Sequence, residues 1–160
     1  MPNIIVKVPA GAFDAAGCER LGKGITAVAK QVEQIGDDPR HEFTTWVVIE
    51  EVKAGRFFAG GNDPLSRMIP VIVLFYVPEG VIGEAARVDA VRLIQSAVAA
   101  GKSETDPRPV MTSVIISEVT DGTWGVSGAL WRLDTFVKAA GYKHLQPPAT
   151  VSVRASSGAA

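Results

Sequence analysis

The chain spells out one strand–helix–strand pattern twice, and this duplication constrains its fold more than any other feature. Ile4 to Val8 is rich in β-branched residues and is broken by Pro9-Ala10-Gly11. Asp14 is placed to cap a helix. Cys18, Leu21, Ile25, Val28, Val32 and Ile35 then follow at spacings of three and four, the stripe of an amphipathic helix. Gly36 to Pro39 ends that helix, and Thr44 to Val52 reads as a second strand. In the second half Val71 to Val77 is a strand closed by Pro78-Glu79-Gly80. A helix over about 84–100 carries Val88, Val91, Ile94 and Val98, and Thr112 to Val119 is the returning strand. Local matches tie the halves together: Val8-Pro9 corresponds to Val77-Pro78, and Asp38-Pro39-Arg40 to Asp106-Pro107-Arg108. Glu51-Val52, Gly55, Phe57 and Gly61 correspond to Glu118-Val119, Gly122, Trp124 and Gly128, and the offset stays at 67 to 69 residues throughout.

A strand–helix–strand unit of this length joins parallel strands by a right-handed crossover. Two copies predict an α/β (α+β) chain in which tandem β-α-β repeats form a four-stranded mixed sheet with two helices on one face. The first repeat is read over 1–61, a linker over 62–68 and the second repeat over 69–128. A C-terminal helix over 129–145 carries Leu130, Leu133 and Val137 and stops at Gly141, and 146–160 reads as a disordered tail. The second sheet face stays apolar and uncovered in one copy, which predicts its burial by further copies.

Composition narrows the function. Of 160 residues 47% are hydrophobic and 21% charged, enough to bury a sizeable core as one domain. The formal net charge is -1 with no long basic run, which argues against nucleic acid as the partner. Cys18 is the lone cysteine, so an intramolecular disulfide is excluded. With His41 and His144 as the only histidines, no metal site and no cofactor is expected. The longest apolar run, Met68 to Val77, contains Pro70 and is far short of the roughly 20 residues that span a bilayer. No signal-type segment precedes it, and the chain reads as soluble and cytoplasmic, with no membrane partner.

Pro2 opens the first strand behind Met1 alone. If Met1 is trimmed, Pro2 becomes a secondary amine whose unperturbed pKa lies near 7.7–8.0, and burial lowers such a value further. The residue then reads either as a neutral base or nucleophile, or simply as a small second residue that favours Met1 removal.

Taken as a set, these features resemble the tautomerase superfamily: Pro2 at the head of a strand, the repeated unit, and Glu-Val-x-x-Gly-x-aromatic before a closing glycine. Each repeat is similar to a short member of the 4-oxalocrotonate tautomerase type. The whole, over about residues 2–128, is similar to double-length members such as macrophage migration inhibitory factor and the cis-3-chloroacrylic acid dehalogenase group. The resemblance implies a barrel-like homotrimer with the sheets facing inward and Pro2 as catalytic amine. Pro70, its counterpart, has no free amine. Phe57 and Trp124 fall at the family's aromatic position, or else pack between subunits. Ser113 falls where pocket-lining residues occur, or is an ordinary strand serine.

The departures from the family are specific. The substrate-binding arginines of short tautomerases fall at Ala12 and Val81 and at Trp46 and Ser113. The second-repeat loop, where the dehalogenases have an arginine pair, reads Pro78-Glu79-Gly80-Val81, and their histidine and glutamate positions hold Ala29 and Val126. Arg56 and Arg40 are the nearest candidate cations for a substrate, each with a solvated surface arginine as the alternative. Glu51 and Glu118 are read as holding turns. The resemblance then implies an isomerase acting on a small-molecule substrate, a phenylpyruvate-like α-keto acid, with Pro2 as general base. Another Pro2-dependent reaction (decarboxylation or carbon–carbon bond formation) and a non-catalytic oligomeric scaffold stay open.

Overall fold

The computed structural model describes residues 2–146, so Met1 and the expected tail from Pro147 onward lie outside the described residues. Each repeat forms its unit: β1 (Asn3–Pro9), α1 (Ala15–Val32) and β2 (Trp46–Val52), then β3 (Ile69–Pro78), α3 (Glu84–Gly101) and β4 (Val110–Val119). A single turn, α2 (Pro39–Glu42), precedes β2. The strand order is β2-β1-β3-β4. β1 runs parallel to β2 and β3 parallel to β4, while β1 and β3 pair antiparallel, Asn3 opposite Tyr76 and Lys7 opposite Ile72.

Period-two alternation sorts the side chains into two faces. Ile4, Val6, Val8, Val71, Val73, Phe75 and Val77 lie beneath the helices and are all but inaccessible. The other face presents Trp46, Val48, Ile5, Ile72, Leu74, Met111 and Ile115 in neighbouring registers. Met111, Trp46, Ile115 and Val48 are 61%, 57%, 54% and 51% exposed. One ion pair, Lys7 with Glu50, sits within that apolar field.

The helices pack on each other through small residues. A Cβ on Gly24 would stand 3.1 Å from the Ala97 Cβ, and one on Gly17 only 2.6 Å from the Gly101 carbonyl oxygen. This close approach turns Ala90, Ile94 and Val98 of α3 inward. Val88 and Val91, expected in the buried stripe, face solvent at 65% and 45% exposure. Helix α1 starts where expected, with the Gly17 N–H donating to Asp14 Oδ1 at 2.6 Å. It ends earlier than its apolar periodicity suggests, because Gln34 takes a left-handed conformation (φ 52°). Ile35 is buried beyond the helix, its N–H donating to the Lys30 carbonyl.

The repeats match in detail as well. Asp38 and Asp106 each accept the backbone N–H two residues on at 2.9 Å and also hold that arginine's guanidinium. Glu51 accepts the Gly11 N–H and Glu118 the Gly80 N–H, so both glutamates hold the turn after a first strand, as the sequence suggested.

The region after the second repeat differs from the helix read over 129–145. Ala129–Trp131 is a strand, β6, paired antiparallel with β5 (Trp124–Val126). Ser127 and Gly128 between them both have positive φ, the geometry a two-residue hairpin turn requires. The helix, α4 (Leu133–Ala140), begins after the hairpin, and its Leu133 N–H donates to Asp121 Oδ1 at 2.7 Å. Trp124 and Trp131 pack edge-on against its Phe136, with centroids 5.5 and 5.2 Å away. Gly141 stops α4 in the left-handed region (φ 60°). The chain then folds back as a strap: Gly36 donates to Ala140 O at 3.0 Å, and Lys143 donates to Gln34 O at 2.9 Å. Among the described residues no helix is long and apolar enough to cross a membrane.

Two glycines should answer in opposite senses. A Cβ on Gly22 meets nothing within 4 Å, so Gly22→Ala gains helix propensity and should stabilise by about 0.5–1 kcal/mol. A Cβ on Gly141 would stand 2.2 Å from His41 Cε1 at a positive φ, so Gly141→Ala should cost more than about 2 kcal/mol. Urea denaturation of the two variants reads both signs.

Candidate active site

Pro2 lies at the amino end of β1, and its carbonyl accepts the Trp46 N–H at 3.0 Å. It is buried, and alternation with Ile4 and Val6 turns it toward the helix-covered face. Because the crossover helix runs against its strands, the carboxyl end of α1 lies over this same end of the sheet. The antiparallel β1–β3 pairing brings the loop Pro78–Ile82 here, since Tyr76 is opposite Asn3. Val81 and Ile82 are buried, and His144 of the strap hydrogen-bonds the Val81 carbonyl at 2.8 Å. β4 also ends here, with Val119 paired to Pro78, which places the β5–β6 hairpin and half-buried Trp124 at the Pro2 end.

The other sequence-derived site residues lie elsewhere in the protomer. Phe57 and exposed Arg56 follow the carboxyl end of β2, where Val52 pairs with Pro9, on the order of 20 Å along the strand from Pro2. They border a shallow groove with Lys7, Phe58 and Ile72. Ser113 is exposed on the uncovered face, in register with Ile72. Arg40 is 87% exposed and already engaged by Asp38 through two Nε contacts of 3.0 Å and one Nη2 contact of 2.5 Å. Those hydrogen bonds hold the Asp38 carboxyl far below its ordinary range and push the Arg40 guanidinium up. One copy therefore brings Trp124 to the Pro2 end and leaves Phe57, Arg56, Ser113 and Arg40 away from it.

Sequence reading missed two buried polar groups at this end. Glu33, the residue that caps α1, is wholly buried, and so is Tyr142 of the strap. The Tyr142 hydroxyl is in hydrogen-bonding contact with the Glu33 carboxyl. Burial pushes the Glu33 carboxyl up to about 7, against the lowering effects of the chain's amino-terminal charge and of Tyr142. Burial and the neighbouring carboxylate push the Tyr142 hydroxyl up as well. A signal existed: Glu33 stands four residues after buried Ala29 and eight after buried Ile25, on the inward face of the helix. Beside this end, Thr26, Lys30, Ile35, His41 and Thr45 line an open groove of about 550 Å³ between α1 and the edge strand β2. Among the described residues no cluster of three or more acidic, histidine or cysteine side chains could hold a metal ion.

Comparison with solved structures places this architecture. A fused 4-OT described as a symmetric trimer superposes with a TM-score of 0.64 at 16% identity, covering 87% of this chain and 98% of its own. A member of the cis-3-chloroacrylic acid dehalogenase family superposes at 0.63 with 18% identity, covering 80% and 82%. The chain has the tautomerase-superfamily fold. A third structure with this fold, of a protein inactivated by 2-oxo-3-pentynoate, matches at 0.61 and 12% identity over 80% of this chain and 94% of its own. No family model and no curated protein matches the sequence.

The buried carboxyl makes stability depend on pH. Between pH 4.5 and about 7 the folded chain binds the Glu33 proton more tightly than the unfolded chain. Stability from this group is therefore full below pH 4.5 and is lost as pH rises through 7, a change on the order of 3 kcal/mol. Urea unfolding of Glu33→Gln at pH 5 and pH 8 should show that loss abolished, so that the variant is the more stable protein at pH 8.

Proposed function

We propose that this chain is a tautomerase whose amino-terminal Pro2 amine interconverts the keto and enol forms of a small α-keto acid with an aromatic or apolar body. One observation carries the reading: Pro2 is buried at the amino end of β1, under the covered layer of a tautomerase fold. The neutral amine takes a proton from the carbon beside the carbonyl and returns it to the enolate oxygen, with no net loss or gain. A base whose pKa lies near the working pH, held where water is excluded, suits this transfer. Trp124, braced by Phe136, supplies an apolar wall at the same end.

The fused 4-OT structures are described as trimers, and the uncovered apolar face suits the same assembly here. In that arrangement Phe57, Arg56 and Ser113 reach a Pro2 site only from a neighbouring copy, so the trimer completes the pocket. Arg40, tied to Asp38, stays outside it.

Phenylpyruvate is the probe. Pro2→Ala should lower its enol conversion by about 10²–10⁴-fold, and equal rates for variant and wild type would remove the proposal. Sedimentation should give three copies for the wild type and fewer for Val48→Glu, which sets a charge in the exposed face. A wild type that sediments as a single copy would overturn the assembly.

The buried Glu33 carboxyl favours a second reading, in which Pro2 stays protonated and acts as an acid in the decarboxylation of a β-keto acid. The pH–rate profile separates the two, because a base gains activity as pH rises through the amine's pKa and an acid loses it.

A further inference from the structure

We propose that the groove between α1 and the free edge of the sheet binds an aliphatic monocarboxylate, at a site that does not involve the Pro2 amine. The packing that closes the core opens this groove. Contact between Gly24 and Ala97 draws α1 toward α3, over β1 and β3, where Val6, Val8 and Val73 are fully buried. The covered face of the edge strand β2 is left partly bare, and its Val47 and Ile49 are only half-buried. Gly22 adds to the opening, since a Cβ there would meet nothing within 4 Å. The resulting groove of about 550 Å³ is within the size range of small-molecule sites, with Gly22, Ala27, Ile35 and Val47 as its apolar lining. It follows α1 from Gly22 to Lys30, about 12 Å, which is roughly the reach of an extended eight-carbon chain with its carboxylate.

Polarity sets the ligand's charge and its direction. Two lysines, a histidine and two threonines line the groove, and no described residue lining it is acidic. Lys23, at one end, is already held by Glu19 at 2.5 Å. Lys30, at the other, is held only loosely: Asp37 is bound by Lys143 at 2.6 Å and stands 3.9 Å from Lys30. The next carboxylate, Asp38, belongs to Arg40. One cation is therefore in surplus at the Lys30 end, where His41 and Thr45 also line the groove. The His41 ring is fixed by packing against Gly36 and Gly141, and its buried Nδ1 has no hydrogen-bond partner among the described residues. The free edge adds a backbone donor. The Trp46 N–H and the Val52 carbonyl turn toward β1, so alternation directs the Val47 N–H off the sheet. A carboxylate at this end pairs with Lys30 by charge-assisted hydrogen bonds, while its chain covers Ala27 and Val47. A cation is repelled by the two lysines, and a neutral chain gains only the burial of its apolar surface.

Octanoate is the probe, titrated into the full chain by calorimetry beside octan-1-ol and octylammonium, which share its length but not its charge. Wild type should bind octanoate saturably with a Kd below about 1 mM, and the other two about tenfold more weakly or not at all. Lys30→Met keeps the side chain's length without its charge, and should weaken octanoate about fivefold while leaving octan-1-ol unchanged. Lys53→Met, which removes an exposed lysine elsewhere, should leave both unchanged. Gly22→Leu fills the groove and should abolish binding, and it folds because helix propensity rises and its Cβ meets nothing. Pro2→Ala should bind octanoate as wild type does. Loss of binding in Pro2→Ala would put the ligand at the amine and overturn the proposal. A wild type that does not saturate, or equal affinities for wild type, Lys30→Met and Gly22→Leu, would overturn it as well.

Discussion

The antiparallel seam between β1 and β3 is the contact on which the rest of this structure depends. Within each repeat a crossover helix fixes two strands as a parallel pair, and such a pair has one covered face and one open one. Joining two units head to tail through β1 and β3 puts both helices on one side, where their glycines and alanines let them touch. The same seam turns the units end for end. The amino end of β1, the loop after β3 and the end of β4 therefore meet, while Pro70, the internal counterpart of Pro2, is carried to the other end of the sheet. A parallel seam would have separated Pro2 from the hairpin and from the strap that now closes over it.

What could be read in the sequence was what period and punctuation encode. The β-branched strands, the α1 stripe with its Asp14 cap, and the duplicated Asp-Pro-Arg and Glu-Val turns all carry local signals, and they were enough to give the sheet, its two helices and the fold family. Features decided by packing were not legible. Val88 and Val91 look buried by hydropathy, but α3 turns Ala90, Ala97 and Gly101 inward because the approach of α1 demands small residues. Ala129–Trp131 is too short to show an alternating pattern, and its strand identity comes from the Ser127-Gly128 turn and from Trp124 opposite.

The proposed site was legible in its first residue and obscure in its others. Pro2 announces itself by position. Phe57, Arg56 and Ser113 carry the right side chains at repeat-equivalent places, yet the sheet sets them far from Pro2 within one copy. Glu33 was hidden because a glutamate near a helix end normally signals solvent, and Tyr142 because nothing in the sequence says that the strap returns to α1. The buried groups at the amino end of β1 thus come from three separated stretches, and only one of them lies in a motif.

The Lys7–Glu50 pair on the open sheet face has a consequence for how copies can meet. Two opposite charges surrounded by Ile5, Val48 and Ile72 form a neutral unit that tolerates being covered, provided both partners stay together. Because both partners belong to one copy, they stay together however a neighbour is seated, and what a covering surface changes is their access to water. A face made largely of apolar side chains thereby has one place where a polar group on a covering surface is favoured. In an assembly through this face, the pair would favour neighbours that bring a polar group to it more than it would strengthen the contact as a whole.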